Sequence, residues 1–181
     1  MARTLGRLSS SRRRATAVTF ALAAIAATVT GAASTAGASA PAAPAGCQVF
    51  TDLAEVTVTM DEHDVAPTGP SVGDLGVYRD EVRDAGGKLV AVVYGSARML
   101  YNRPSDGHLI GLWTEKFEFV NGGKGTAVGV TDIADLMKGT AVVEGFSGTG
   151  GRYLGWHGTR EWVRTSGDTA RTTITLCPDQ A

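Results

Sequence analysis

From Glu55 to Cys177 the chain runs in short stretches of alternating apolar and polar residues closed by glycine-bearing turns, a pattern that dictates an all-β fold. Eight such runs are recognisable, at about 55–61, 73–83, 88–101, 109–120, 124–131, 139–145, 152–164 and 169–177. The first places Val56 and Val58 on one face and Thr57 and Thr59 on the other, and Thr173-Ile174-Thr175-Leu176 alternates in the same way. Asp84-Ala85-Gly86-Gly87 and Asn121-Gly122-Gly123 supply residues that tolerate the positive φ of hairpin turns. Only Ile133-Ala134-Asp135-Leu136-Met137 suits a helical turn. Eight strands joined by short turns favour a closed antiparallel barrel or a sandwich. The run 88–101 is apolar on both faces, with Val90, Val92 and Tyr94 on one and Ala91, Val93 and Ala97 on the other. A barrel wall that meets another subunit would read this way, and so would a wall covered by its own loops.

The N-terminus has a different logic. Arg3, Arg7, Arg12, Arg13 and Arg14 precede the first acid, Asp52, and an apolar, Ala-rich stretch runs from Ala15 to about Val29. With Ala36-Gly37-Ala38 as a small-residue cleavage pattern, residues 1–38 read as an export signal, by either the general or the twin-arginine route. The stretch is too short to span a bilayer, so no membrane is expected for the mature form. Residues 39–54 are expected to be a flexible leader and 55–181 the folded domain. Pro44 sits where a lipoprotein cleavage box wants a large aliphatic residue, which argues against an anchor through Cys47.

Charge follows from this division. The whole chain has 17 basic and 18 acidic residues, and removing the five signal arginines leaves 12 against 18, a net charge of −6. An acidic domain is not a nucleic-acid binder. In an oxidising compartment Cys47 and Cys177, at the two ends of the domain, read as one disulfide.

The order of several motifs resembles a known family. Val72-Gly73-Asp74-Leu75, Tyr78, Asp84-Ala85-Gly86-Gly87-Lys88 and Gly95 are followed by Phe117-Glu118-Phe119 and Gly122-Gly123-Lys124-Gly125. Ser147-Gly148-Thr149-Gly150 then leads to Arg152-Tyr153-Leu154-Gly155-Trp156-His157-Gly158. Together these resemble the allene oxide cyclase barrel family and its dirigent relatives over roughly residues 55–177. The resemblance implies an eight-stranded antiparallel β-barrel, an apolar interior that takes a small hydrophobic ligand, and assembly as a homotrimer. It implies no cofactor. The chain also departs from the pattern. Gly151 is an extra residue, Ser147 replaces the first glycine of the hairpin, and His157 stands where an arginine is usual. The segment Val56-Thr57-Val58-Thr59-Met60 lacks the first-strand glutamate of the cyclases, and their third-strand cysteine falls at about Ala97.

Three residues are candidates for chemistry. Glu115 shares a face with Trp113, Phe117 and Phe119, while Thr114, Lys116 and Glu118 share the other. If the aromatic face lines the barrel, desolvation raises the Glu115 pKa and suits it to general acid or base work. Pairing with Arg98 or Lys116 would instead leave it inert. A histidine such as His157, where the pattern has arginine, could polarise a carbonyl or shuttle a proton, or is simply an exposed hairpin histidine. Asp80 shares a face with Tyr78 and resembles the acid-bearing segment of dirigents, against the alternative of solvation beside Arg79 and Glu81. Tyr78, Trp113, Phe117, Phe119 and Tyr101 are the expected ligand-pocket residues. No metal site is expected, because His63, His108 and His157 are far apart and Asp61-Glu62-His63-Asp64 alternates faces along a strand. Two functions follow. One is a secreted barrel that binds a small hydrophobic molecule and guides its isomerisation or cyclisation; the other is a non-catalytic binding or interaction module on the same barrel.

Overall fold

The computed structural model describes residues 46–179. The expected signal, 1–38, and the leader up to residue 45 lie outside the described residues. Eight strands follow one another round a closed barrel: β1 (Gln48–His63), β2 (Leu75–Arg83), β3 (Leu89–Asn102), β4 (Leu109–Phe119), β5 (Lys124–Asp132), β6 (Val142–Gly150), β7 (Trp156–Ser166) and β8 (Thr169–Pro178). Each pairs antiparallel with its neighbours, and β1 closes the ring on β8, leaving no open sheet edge.

The barrel starts earlier than the alternation suggested. Residues 48–54, expected in the leader, are wall: Gln48 pairs with Leu176 and Phe50 with Ile174. Closure demands them, because β8 would otherwise lack a partner along its second half. Cys47 and Cys177 form the expected disulfide beside this seam, with Cα atoms 4.1 Å apart. Two other boundaries move. The run expected at 139–145 starts only at Val142, because a short helix α1 (Ile133–Met137), capped by the Asp132 carboxylate on the Ala134 N–H, carries the chain past Gly139. The run expected from residue 152 starts at Trp156, because Gly151–Tyr153 makes a 3-10 turn.

Strand direction and side-chain alternation stack the interior in three layers. Take as the lower end the one where β1 begins. Going up β4, the inward side chains are Phe119, Phe117, Glu115 and Trp113; up β2 they are Val82, Asp80 and Tyr78; up β6, Phe146, Glu144 and Val142; up β8, Leu176, Ile174 and Thr172. The same polar step occurs at Glu55 on β1 and Arg160 on β7. The lower layer is an aromatic plug in which Phe117, Phe119, Phe146 and Tyr153 pack with ring centroids 5.0–6.2 Å apart. Tyr153 is held there by hydrogen bonds that link it to Gln48 and Asn121. The upper layer contains Tyr78, Trp113, Trp162, Val142 and Leu136, the last from α1. Between the two apolar layers lies a charged one.

Candidate functional site

The charged layer is built around Arg160, which is only 2% exposed. Its Nη1 donates to Glu115 Oε2 at 2.7 Å and to Glu144 Oε2 at 2.8 Å, and its Nη2 donates to Glu55 Oε2 at 2.7 Å. The guanidinium plane also lies over the rings of Phe117 and Trp162, 5.4 Å from each centroid. Tyr78 completes the layer by donating its hydroxyl to Glu115 Oε1 at 2.7 Å. Backbone space makes this packing feasible. A Cβ at Gly95 would come within 2.2 Å of the Tyr78 ring, and one at Gly129 within 2.4 Å of the Glu144 side chain. These strand positions therefore need glycine for close approach rather than for a turn.

Four carboxyl groups, counting Asp80, surround one cation. Burial out of water and the like charge of Glu55 push Asp80 up to about 7, with the Thr57 side chain beside it pulling the other way. Burial likewise raises Glu115, to about 8, against the downward pull of Arg160, while Glu55 and Glu144 push it further up. Tyr78 is driven well above its ordinary value by burial and by the Glu115 charge it faces. The layer thus holds protons at neutral pH that exposed carboxylates would release. Glu55 and Asp80 share a side-chain hydrogen bond, and beyond it several polar atoms of the layer have no partner within the protein: Glu55 Oε1, Asp80 Oδ1, Glu144 Oε1, Arg160 Nε and the indole Nε1 of Trp162. Unpaired buried groups of this kind are costly, at about 1–3 kcal/mol each, and mark a place where polar ligand atoms would be welcome.

Of the residues expected at the site, Glu115, Asp80 and Tyr78 come together in the charged layer, and Trp113 covers it from above. Phe117 and Phe119 face inward but belong mainly to the lower plug. His157 and Tyr101 do not join them. His157 is 61% exposed, with Asp179 as its nearest acid at 3.4 Å, and Tyr101 is 48% exposed on the outer wall. The reason is parity: on β7 the inward residues are Arg160 and Trp162, which puts His157 outside. The cation opposite Glu115 is neither Arg98 nor Lys116, since both are exposed.

Glu55, Glu144 and Arg160 escaped the sequence reading. Glu55 lies one residue before the 56–60 segment and faces inward from β1. Arg160 had a legible signal, an odd charge on the Trp156 and Trp162 face, and Glu144 lay inside a run whose start was misplaced. No imidazole faces the interior, and among the described residues no group of three or more His, Cys, Asp or Glu side chains is placed to hold a metal ion.

The family model described as allene oxide cyclase barrel like domain matches residues 54–176. Among curated protein sequences nothing matches. Solved structures do. The Diels–Alderase AbmU from Streptomyces koyangensis superposes with a TM-score of 0.69 at 27% identity, over 73% of this chain and 64% of that one. A structure described as a nonspecific heme-binding cyclase, which catalyses a cycloaddition during neoabyssomicin biosynthesis, gives a TM-score of 0.68 at 27% identity over 73% and 65%. This chain therefore spans less than two thirds of both. AbnU, described as an exo-specific intermolecular Diels–Alderase, gives a TM-score of 0.65 at 26% identity over 72% of this chain and 96% of that one.

Proposed function

The chain belongs to the allene oxide cyclase barrel-like family, and on that premise we propose that it binds a small, largely hydrophobic molecule within the barrel and steers its cyclisation or isomerisation. The observation that carries this reading is the Arg160 layer, a set of buried acids and a phenol enclosed between two apolar layers with several polar atoms left unpartnered. Trp113 and Trp162, packed on each other with ring centroids 6.2 Å apart, would have to part to admit the ligand's apolar body and would then hold it in a reactive conformation. Tyr78, Asp80 and Glu115 would supply the few directional contacts and a proton at neutral pH. The likeness to cyclases and Diels–Alderases supports conformational steering as the main effect, since ring closure of that kind gains chiefly from orientation.

We also place the mature protein outside the cell, on the strength of the Arg-rich start and the Ala36-Gly37-Ala38 pattern. The outer wall bears Val128, Val130 and Val143, each half or more exposed, which suits assembly with further copies. A second reading has its own support. Arg160 ties together β1, β4, β6 and β7, as a purely structural staple in a binding module would. Native mass spectrometry of the protein recovered from its own culture medium separates the two. A co-purifying hydrophobic molecule, lost on Trp113→Ala, is the expected result. An empty barrel carrying a bound protein partner would overturn it.

A further inference from the structure

The wall of the barrel has a cleft of about 370 Å³ where β1 leaves β8, lined by Thr57, Val58, Thr59, Met60, Glu62 and Asp168. Here β1 bulges between Thr57 and Thr59, and beyond the Val56–Thr169 pair the Thr57 N–H donates to the Asp168 carbonyl at 2.9 Å. Two acids and no base line it. Thr57 belongs to both worlds, since it lines the cleft and its side chain lies beside Asp80. Asp80 is 5% exposed and Glu55 is 3% exposed; their carboxyls hydrogen-bond to each other through the proton Asp80 keeps, and Asp80 Oδ1 and Glu55 Oε1 have no further partner within the protein. The two sit diagonally across the β1–β2 ladder, where Thr57 pairs with Asp80 and Glu55 with Val82.

We propose that this cleft and the Asp80–Glu55 pair behind it form a subsite for an organic ammonium group, a protonated amine carried on an apolar or aromatic body. The proposal rests on the interior-binding reading above and names the chemical class of the ligand. The arrangement of donors and charges carries it. With Asp80 and Glu115 holding protons near neutral pH, two carboxyls, Glu55 and Glu144, still face one cation. An ammonium can take the place of the Asp80 proton. Arg160 is the one base in a layer with four acids: Asp80 itself on β2, Glu55 on β1, Glu115 on β4 and Glu144 on β6. Arg160 on β7 bonds the last three and leaves Asp80 without it; the neighbouring β3 contributes only Val93 and Gly95. Tyr78, the remaining titratable group, donates to Glu115. An ammonium would supply the missing cation and donors, while Val58 and Met60 at the cleft would pack the apolar body. An anionic ligand would meet Glu62 and Asp168 at the mouth and Asp80 and Glu55 behind them.

Calorimetric titration with naphthylmethylamine, naphthalenemethanol and naphthoate near neutral pH tests this. The amine should bind at least about tenfold tighter than the alcohol, the difference expected of one desolvated charge-assisted contact, and naphthoate should not bind. Amine binding should release a fraction of a proton, read from titrations in two buffers of different ionisation enthalpy. Asp80→Asn should bring the amine to the affinity of the alcohol and abolish that release. Should Asp80→Asn fold poorly, Glu62→Gln with Asp168→Asn, both on the surface, should weaken the amine and flatten its salt dependence without affecting the alcohol. Equal binding of the amine and the alcohol, or of naphthoate, overturns the ammonium subsite and leaves interior binding standing. Failure of all three probes overturns both.

Discussion

Asp80 is the residue whose chemistry is most exposed to test. Folded, it keeps its proton to about pH 7, whereas in the unfolded chain it releases it near 3.8. Between those values the folded state binds more protons, so this group's contribution is complete at low pH and is lost as pH rises through about 7. Asp80→Asn cannot ionise. Its stability should match the wild type at about pH 4 and exceed it at about pH 8 by on the order of a few kcal/mol. Urea unfolding at both values checks this, and a difference independent of pH would show that Asp80 is not held protonated. The residue scale is also where the sequence was least transparent. The alternation of β4 put Glu115 on the aromatic face, and the structure turns that face inward. Nothing local says that Arg160, rather than Lys116, reaches it, because the two are joined only when β7 and β4 face each other across the lumen.

At the scale of elements, the interior glycines decide how closely the strands and their inward side chains fit. Gly129 on β5 faces the Glu144 side chain of β6, and Gly129→Ala would put a methyl 2.4 Å from its Cγ. The expected cost is about 1–3 kcal/mol, as for overpacking generally. In a Glu144→Ala background that cost should largely vanish, and a double-mutant cycle in chemical denaturation measures the coupling. Additive effects would mean that the two do not compete for space. Turns were legible because their chemistry is local: Gly87 and Gly122 both adopt positive φ, as the Asp84–Gly87 and Asn121–Gly123 segments required. Starts of strands were less so. Residues 48–54 look like leader until β8 supplies a partner, and Val142 begins β6 late because the Asp132 cap starts a helix first.

For the whole molecule, closure is the governing fact. The Cys47–Cys177 bond joins the first and last strands across a separation of 130 residues. Loop-closure entropy for so long a span is worth about 5 kcal/mol, so reduction, or the pair Cys47→Ser and Cys177→Ser, should lower the unfolding free energy by roughly 2–5 kcal/mol. The β-sheet content should survive at moderate temperature, because the β1–β8 ladder and the aromatic plug remain. Thermal unfolding followed by circular dichroism with and without reductant reads this directly. A barrel that opened completely on reduction would show that the seam depends on the bond alone.

The sequence by itself determined the all-β class, the eight strands, the hairpin turns, the cysteine pairing and which β4 residues share a face, since each rests on alternation, turn chemistry or cysteine count. It also carried enough ordered motifs to point to the barrel family. Only the tertiary structure decided what lies in the middle of that barrel. Glu55, Glu115, Glu144 and Arg160 come from four strands spread over more than a hundred residues of chain, and Tyr78 and Asp80 from a fifth. Their meeting depends on register and barrel closure, which set each strand's polar step at the same height. A charge on an apolar face is visible in one strand; a charged layer exists only when the strands have closed around it.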